Sequence, residues 1–263
     1  MSGARRRLVV VGGAGLMGRL LARVFRKDGF DVRVADPAGT PRGYRASALH
    51  EVSDADVVIV SAPLSNIGAV LGQVLDHDPR GLVFDIASVK APVAPALDRA
   101  QQRGLAVASV HPMFGPGVAS LEGRDLIVCD AGQPAAARRA RRLFHGHGLK
   151  IRTMPLAEHD PWIAKTMGLA HFASLAVAST LARSGISSRD LDGAASTSFR
   201  RLLDLVHPIL DQAPALTRAI QAENPEAAGV AAMLAREVAR WMDLVKSPEA
   251  FARELAATRR LLG

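Results

Sequence analysis

A glycine triplet, Gly13-x-Gly15-x-x-Gly18, follows the apolar run Leu8-Val9-Val10-Val11 and opens a stretch of helical periodicity from Leu16 to Lys27. A strand, a glycine loop and a helix in that order make the first β-α-β unit of a dinucleotide-binding fold. Gly13 permits a tight turn, Gly15 lets the backbone approach a pyrophosphate, and Gly18 lets the helix pack on the strand. Leu16 and Met17 then stand at a helix N-terminus that faces the phosphate charge. Asp36 closes a second strand about 20 residues downstream, where a carboxylate binds the adenosine ribose hydroxyls. That carboxylate repels a 2′-phosphate, so NAD is the expected cofactor, with Arg42 and Arg45 as the features that point toward NADP.

The rest of the first half alternates β-branched runs with helical stretches, the pattern of a parallel sheet flanked by helices. Residues 56–61 form one such run, and Ser61 and Pro63 at its end are expected beside the cofactor. After about residue 154 the chain turns Ala- and Leu-rich, with helical periodicity and almost no strand-like runs. The expected architecture is an α/β Rossmann-type domain with a parallel sheet over residues 1–154. An all-α helical domain over residues 155–263 follows it.

Composition narrows the class. Hydrophobic residues make up 49% of the 263, which fits a globular chain. No apolar run reaches the roughly 18 residues of a membrane span. The formal net charge is +8, but the basic residues are dispersed and aromatics are only 4%, which argues against nucleic acid and suits a small anionic substrate. The lone cysteine, Cys129, precludes an internal disulfide, and the basic N-terminus lacks the long apolar stretch of a signal peptide, so a cytoplasmic location is expected. No metal site is expected.

Two segments fall where strands end over the cofactor: Asp85-Ile86-Ala87-Ser88-Val89-Lys90 and Ser109-Val110-His111-Pro112-Met113-Phe114-Gly115-Pro116. Ligands bind beyond the carboxyl ends of the strands in such a sheet. His111 is the candidate proton acceptor, and Ser88 on the neighbouring loop is the candidate that orients it.

Together, the glycine loop, Ala87-Ser88-Val89-Lys90 and the His111–Pro116 segment resemble the prephenate dehydrogenases. The likeness continues through Ala157-Glu158-His159-Asp160 and Leu169-Ala170-His171-Phe172-Ala173. The resemblance implies an NAD-binding domain joined to a helical dimerisation domain, and hence a homodimer acting on a small anionic cyclohexadienyl substrate. It implies that His111 takes the C4 hydroxyl proton as hydride leaves for the nicotinamide, that Ser88 hydrogen-bonds His111, and that carbon dioxide is lost as the ring aromatises. It also places His171, Arg200 and Met113 at the substrate.

One position departs from the pattern. A second arginine is expected about two turns after Arg200, where this chain reads Val206-His207-Pro208. Arg201, Arg218 or a partner subunit's arginine replaces it, or the substrate is a relative such as arogenate or 4-amino-4-deoxyprephenate, or the substrate lacks the second carboxylate. Two other readings are a β-hydroxyacid-type dehydrogenase using Lys165 and a non-catalytic NAD-binding protein. The His111–Pro116 segment has no role in the former, and the pairing of Ser88 with His111 argues against the latter.

Overall fold

The computed structural model describes residues 5–186, 190–191 and 193–262. It divides into two compact units, Met1–Trp162 with Ala222–Asn224, and Ile163–Gln221 with Pro225–Gly263.

The first unit is an eight-stranded sheet in the order β3-β2-β1-β4-β5-β6-β7-β8. Its elements are β1 (Arg7–Val11), α1 (Leu16–Lys27), β2 (Asp31–Ala35), β3 (Arg45–Ala46), β4 (Val57–Val60) and α2 (Ile67–Leu75). They continue as β5 (Leu82–Asp85), α3 (Ala94–Gln102), β6 (Val107–Pro112), β7 (Asp125–Asp130), α4 (Pro134–Leu143) and β8 (Lys150–Pro155). β4 and β5 are buried on both faces, as strands sandwiched between helix layers must be, and for that reason β4 reads as a continuous apolar run and β5 as one until Asp85. Phe25, Phe84 and Phe144 pack edge to face, with centroids 5.4 Å and 6.0 Å apart across the two contacts, and tie α1 and the end of α4 to β5.

The sheet is mostly parallel rather than wholly so, because β7 runs antiparallel to β6, pairing Ser109 with Cys129 and Pro112 with Leu126. A parallel return needs a crossover, usually helical. Residues 113–124 contain no helix, so the chain can only turn back.

The second unit is helical: a π-helical turn (Ala164–Gly168), α6 (Leu169–Ser184), α7 (Thr197–Leu210), α8 (Pro214–Ala222), α9 (Ala227–Leu244) and α10 (Pro248–Leu262). The π turn continues α5 (Leu156–Ile163), which belongs mostly to the first unit. Ser196 caps α7 by accepting from Phe199 N at 3.2 Å, and Gly185 ends α6 in the left-handed conformation at φ +76°. On α9 and at its C-cap, Val238, Met242 and Val245 share one face and are 55%, 66% and 64% exposed, an apolar stripe that the unit itself does not cover. Among the described residues no helix is long and apolar enough to cross a membrane, and no three potential metal ligands cluster.

Candidate active site

The strand order reverses between β1 and β4, so the loops leaving their carboxyl ends diverge and open a crevice. Gly12, which the sequence pattern passes over, holds this point together. Its φ is +83°, and a Cβ there would overlap the Ser61 carbonyl oxygen at the end of β4. The tight turn assigned above to Gly13 therefore belongs to Gly12. Gly13 has no positive φ and is instead pressed against Val34, whose Cγ atoms would lie 2.8 and 2.9 Å from an added Cβ. Gly18 does what its spacing implies, since a Cβ there would strike the Gly12 carbonyl oxygen and push α1 off the loop. Only the Gly12 oxygen, at 3.3 Å, would meet a Cβ on Gly15, so that side of the loop is open for a ligand to approach the backbone.

Gly15 N donates to Gly12 O at 3.2 Å, and the first helical bond of α1 is Arg19 N to Gly15 O at 2.9 Å. The N–H groups of Leu16, Met17 and Gly18 thus have no intrahelical acceptor, which is the condition for holding an anion at a helix N-terminus. Asp36 follows β2, accepts from Ala14 N at 2.9 Å and from Ala38 N at 2.8 Å, and so fixes its carboxylate against the glycine loop. Ser61 and Pro63 lie on the β4 side of the crevice, Ser61 half-buried and Pro63 exposed. These residues can hold a dinucleotide.

His111 is the penultimate residue of β6 and is 2% exposed. Its Nδ1 lies 3.0 Å from His159 Nε2, and His159 Nδ1 lies 2.7 Å from Asp160 Oδ1. Asp160 also accepts from Lys90 N at 2.8 and 3.0 Å and from Ala91 N at 2.7 Å, while Asn224 Nδ2 donates to its carbonyl at 3.0 Å. Burial works to raise the Asp160 pKa, but the bonds from His159, Lys90 N and Ala91 N outweigh it and hold the carboxyl below its usual range. Burial, more than the Asp160 bond that opposes it, pushes His159 down. Burial, then the Lys90 charge, then His159 push His111 well below an ordinary histidine. Both rings are therefore neutral near pH 7.

That state fixes every proton in the chain. Ionised Asp160 can only accept, so His159 carries its hydrogen on Nδ1 and offers a lone pair at Nε2. His111 must then donate from Nδ1, which leaves its Nε2 lone pair free, with no hydrogen-bond partner among the described residues. A neutral imidazole oriented by a carboxylate in this way can act as a general base.

Among the described residues no hydrogen bond joins Ser88 to His111. Ser88 is half-buried in the loop after β5, and the His111 Nδ1 is already taken by His159. The loop is held instead by Lys90, which is 2% exposed and donates to Asp85 Oδ1 at 3.3 Å, Ala87 O at 2.6 Å and Val110 O at 3.0 Å. The last of these bonds ties the loop to the residue before His111.

Sequence reasoning passed over Lys90, His159 and Asp160 as functional groups. The available signals were an adjacent His-Asp pair and a charged residue, Asp85, closing an otherwise apolar strand. Met113, just beyond His111, is half-buried and held by its N–H to Asp125 O at 3.1 Å. In the helical unit His171 is 5% exposed on α6, and Arg200 is exposed on α7, with no ion pair among the described residues. Pro208, Arg201 and Arg218 are exposed, as is Lys165 on the π turn.

Residues 21–152 match the family model described as prephenate dehydrogenase, nucleotide-binding domain, and residues 155–257 match the prephenate dehydrogenase dimerization domain. The chain is 31% identical over 211 residues to a T-protein of Enterobacter agglomerans, covering 80% of this chain and 55% of that one. It is 29% identical over 274 residues to a 4-amino-4-deoxyprephenate dehydrogenase of Streptomyces pristinaespiralis, covering 98% and 91%. A "probable arogenate/prephenate dehydrogenase" of Methanocaldococcus jannaschii is 25% identical over 82% of this chain and 51% of its own length. The chain thus spans about half the length of the T-protein and the M. jannaschii relative. In fold it resembles the prephenate dehydrogenase from A. aeolicus solved with hydroxyphenyl propionate and NAD+, with a TM-score of 0.76 at 18% identity over 100% of both chains. With both of its parts matched, the chain belongs to the prephenate dehydrogenase family.

Proposed function

We propose that this protein is an NAD-dependent dehydrogenase that oxidises a prephenate-type cyclohexadienyl acid at C4 and releases the ring carboxylate as carbon dioxide. The candidates are prephenate, arogenate and 4-amino-4-deoxyprephenate, which the names of the relatives span. The observation that carries the reading is the Asp160–His159–His111 chain, which ends in a free, neutral Nε2 at the carboxyl end of β6. The glycine loop, the unpaired N–H groups of Leu16, Met17 and Gly18, and the fixed Asp36 carboxylate suit NAD. When bound, NAD supplies the hydride acceptor.

In this reading His111 Nε2 takes the proton from the C4 hydroxyl, or from the C4 amine of an aminodeoxy substrate, as the C4–H bond gives up its electron pair. The C–CO2 bond then breaks, its electrons enter the ring, and the ring oxygen or nitrogen recovers the proton from His111. Asp160 stays ionised and steadies the imidazolium through His159. Lys90 holds the Ser88 loop and β6 in place throughout. His171 and Arg200 are assigned to the substrate, Arg200 as the natural partner of a carboxylate. The uncovered stripe on α9 and the dimerization-domain match support a homodimer.

The test is NADH formation with each of the three substrates by the wild type and by His111→Asn. Turnover of at least one substrate, abolished in His111→Asn while NAD still binds, is the expected result. No turnover of any substrate by an NAD-binding protein, or a His111→Asn variant that works normally, overturns the proposal.

A further inference from the structure

An open cavity of about 600 Å³ indents the first unit at the amino ends of β1, β4 and β5, where Arg6, Val57 and Leu82 line it. The three strands are parallel, and the glycine loop and the loops after β4 and β5 leave their opposite, carboxyl ends. The cavity is therefore a separate place from the cofactor crevice. Its floor is apolar: Phe30, Val57 and Leu82 are 5%, 3% and 1% exposed. Its wall is basic. Arg139 and Arg142 stand three residues apart on one face of α4, and His145 and His147 follow just past the end of that helix. Gly146 turns the chain between the two histidines at φ +98°, a conformation that glycine adopts without strain, and both rings line the cavity. Across from them the Arg6 guanidinium lies 4.5 Å from the centre of the Phe30 ring, which holds it at the cavity.

Two carboxylates also line the cavity, and both are engaged elsewhere. Asp28 Oδ2 lies 2.9 Å from His147 Nε2, and Asp56 Oδ2 accepts from Arg7 N at 2.7 Å. Among the described residues Arg6, Arg139 and Arg142 form no ion pair with either of them or with any other carboxylate. We infer that this cavity binds a small phosphate-bearing anion, a phosphate ester or a diphosphate, with Arg139 and Arg142 as its principal contacts. A guanidinium presents paired donors that match two oxygens of one phosphate. The arginines stand on two sides of the cavity, and the tetrahedral oxygens of a phosphate accept from several directions at once, whereas a carboxylate has two oxygens in one plane. The volume is that of a small-molecule site, and the apolar floor gives the carbon part of an ester a surface to rest on.

The experiment is a calorimetric titration of inorganic pyrophosphate into the full chain saturated with NAD, so that the glycine loop is already filled. It compares the wild type with two double variants, Arg139→Gln with Arg142→Gln and Arg138→Gln with Arg141→Gln. All four arginines are exposed on α4, and each pair contains one of the two last-turn arginines that suit the helix dipole. Only the first pair lines the cavity. The wild type is expected to bind one pyrophosphate per chain. The first double variant should bind at least about tenfold more weakly, the loss of one charge-assisted hydrogen bond being enough for that. The second should stay within about threefold of the wild type at physiological salt, because exposed charges off the site are screened.

Equal weakening in the two double variants overturns the inference and reduces it to the attraction of an anion to a basic chain. The absence of binding at millimolar pyrophosphate overturns it as well. Succinate binding as tightly as pyrophosphate at the same ionic strength removes the choice of phosphate and sinks the assignment. Thermal melts give a second readout: pyrophosphate should raise the melting temperature of the wild type and of the second variant, and not of the first. A first variant that melts lower without the anion and still gains the same rise marks Arg139 and Arg142 as structural and refutes the site. Binding is the readout throughout, so the result stands whichever substrate the protein oxidises.

Discussion

Asp160→Asn reverses every proton in the histidine chain while leaving its shape nearly intact. Asp160 accepts from three N–H groups, those of His159, Lys90 and Ala91, at 2.7 to 3.0 Å. An asparagine retains one oxygen, which the backbone N–H groups of Lys90 and Ala91 claim, and it turns its NH2 toward His159. His159 Nδ1 must then accept, its Nε2 carries the hydrogen, and that hydrogen points at His111 Nδ1. His111 responds by protonating Nε2, the atom that takes the substrate's proton in the proposed reaction. The loss is one of tautomer rather than of contact, and such a reversal costs on the order of 10³–10⁴ in kcat.

Stability should suffer less. A buried donor left short of its acceptor costs about 1–3 kcal/mol, a fall of several degrees in melting temperature for a domain of this size. The assay is the steady-state rate of NADH formation beside a thermal melt and an NAD titration. A variant that is folded, binds NAD and has lost more than about a hundredfold in kcat fits the argument. Wild-type kcat in folded Asp160→Asn would refute it, since His111 would then be set by something other than the chain from Asp160.

Further outcomes follow from the same structure. Gly12→Ala places a Cβ against the Ser61 carbonyl and demands a φ of +83° from a residue with a side chain. It should cost about 2–3 kcal/mol in a urea titration and weaken NAD binding. His111, His159 and His171 all have pKa values held below the ordinary 6.5 by burial. Below 6.5 the unfolded chain therefore binds protons that the folded chain refuses, and stability falls as the pH drops from that point toward the folded values. Melting temperatures between pH 7 and 5 should show that slope, and His111→Asn should flatten it. Cys129 is fully buried on β7, and burial raises its thiol to about 12, so it should resist thiol reagents until the protein is unfolded.

The parts of the site that could be read from the sequence are those whose physics is local. Gly18 can carry no side chain because α1 must close on Gly12 and Gly13, six and five residues behind it, and spacing alone shows this. Asp36 is legible because a strand of known length delivers its end to a known place. His111 could be picked out at a strand terminus, but its orienting partner could not. His159 is 48 residues further along the chain, on a helix reached only after two more strands, and no periodicity reports that its Nε2 comes within 3.0 Å. Ser88 was the nearer candidate in sequence, and no hydrogen bond among the described residues joins it to His111. Lys90 was hidden for a different reason: a lysine at 2% exposure contradicts its composition-based expectation, and only the three oxygens around Nζ make the burial affordable. The reversal at β7 follows from a connection without a helix, which is visible afterwards but competes with an otherwise regular alternation.

The depressed basicity of His111, enforced by burial and by the Lys90 charge, bears on the accounting of the whole reaction. A group that holds a proton so weakly is a carrier and not a sink. In the proposed reaction with decarboxylation, the proton borrowed from the C4 hydroxyl or amine goes back to the aromatic product, and the medium gains none before the carbon dioxide hydrates. With a substrate that lacks the ring carboxylate, the ring has no use for it and each NADH appears with one released proton. Counting protons against NADH in a weakly buffered solution therefore reads out whether carbon dioxide leaves, without identifying the product.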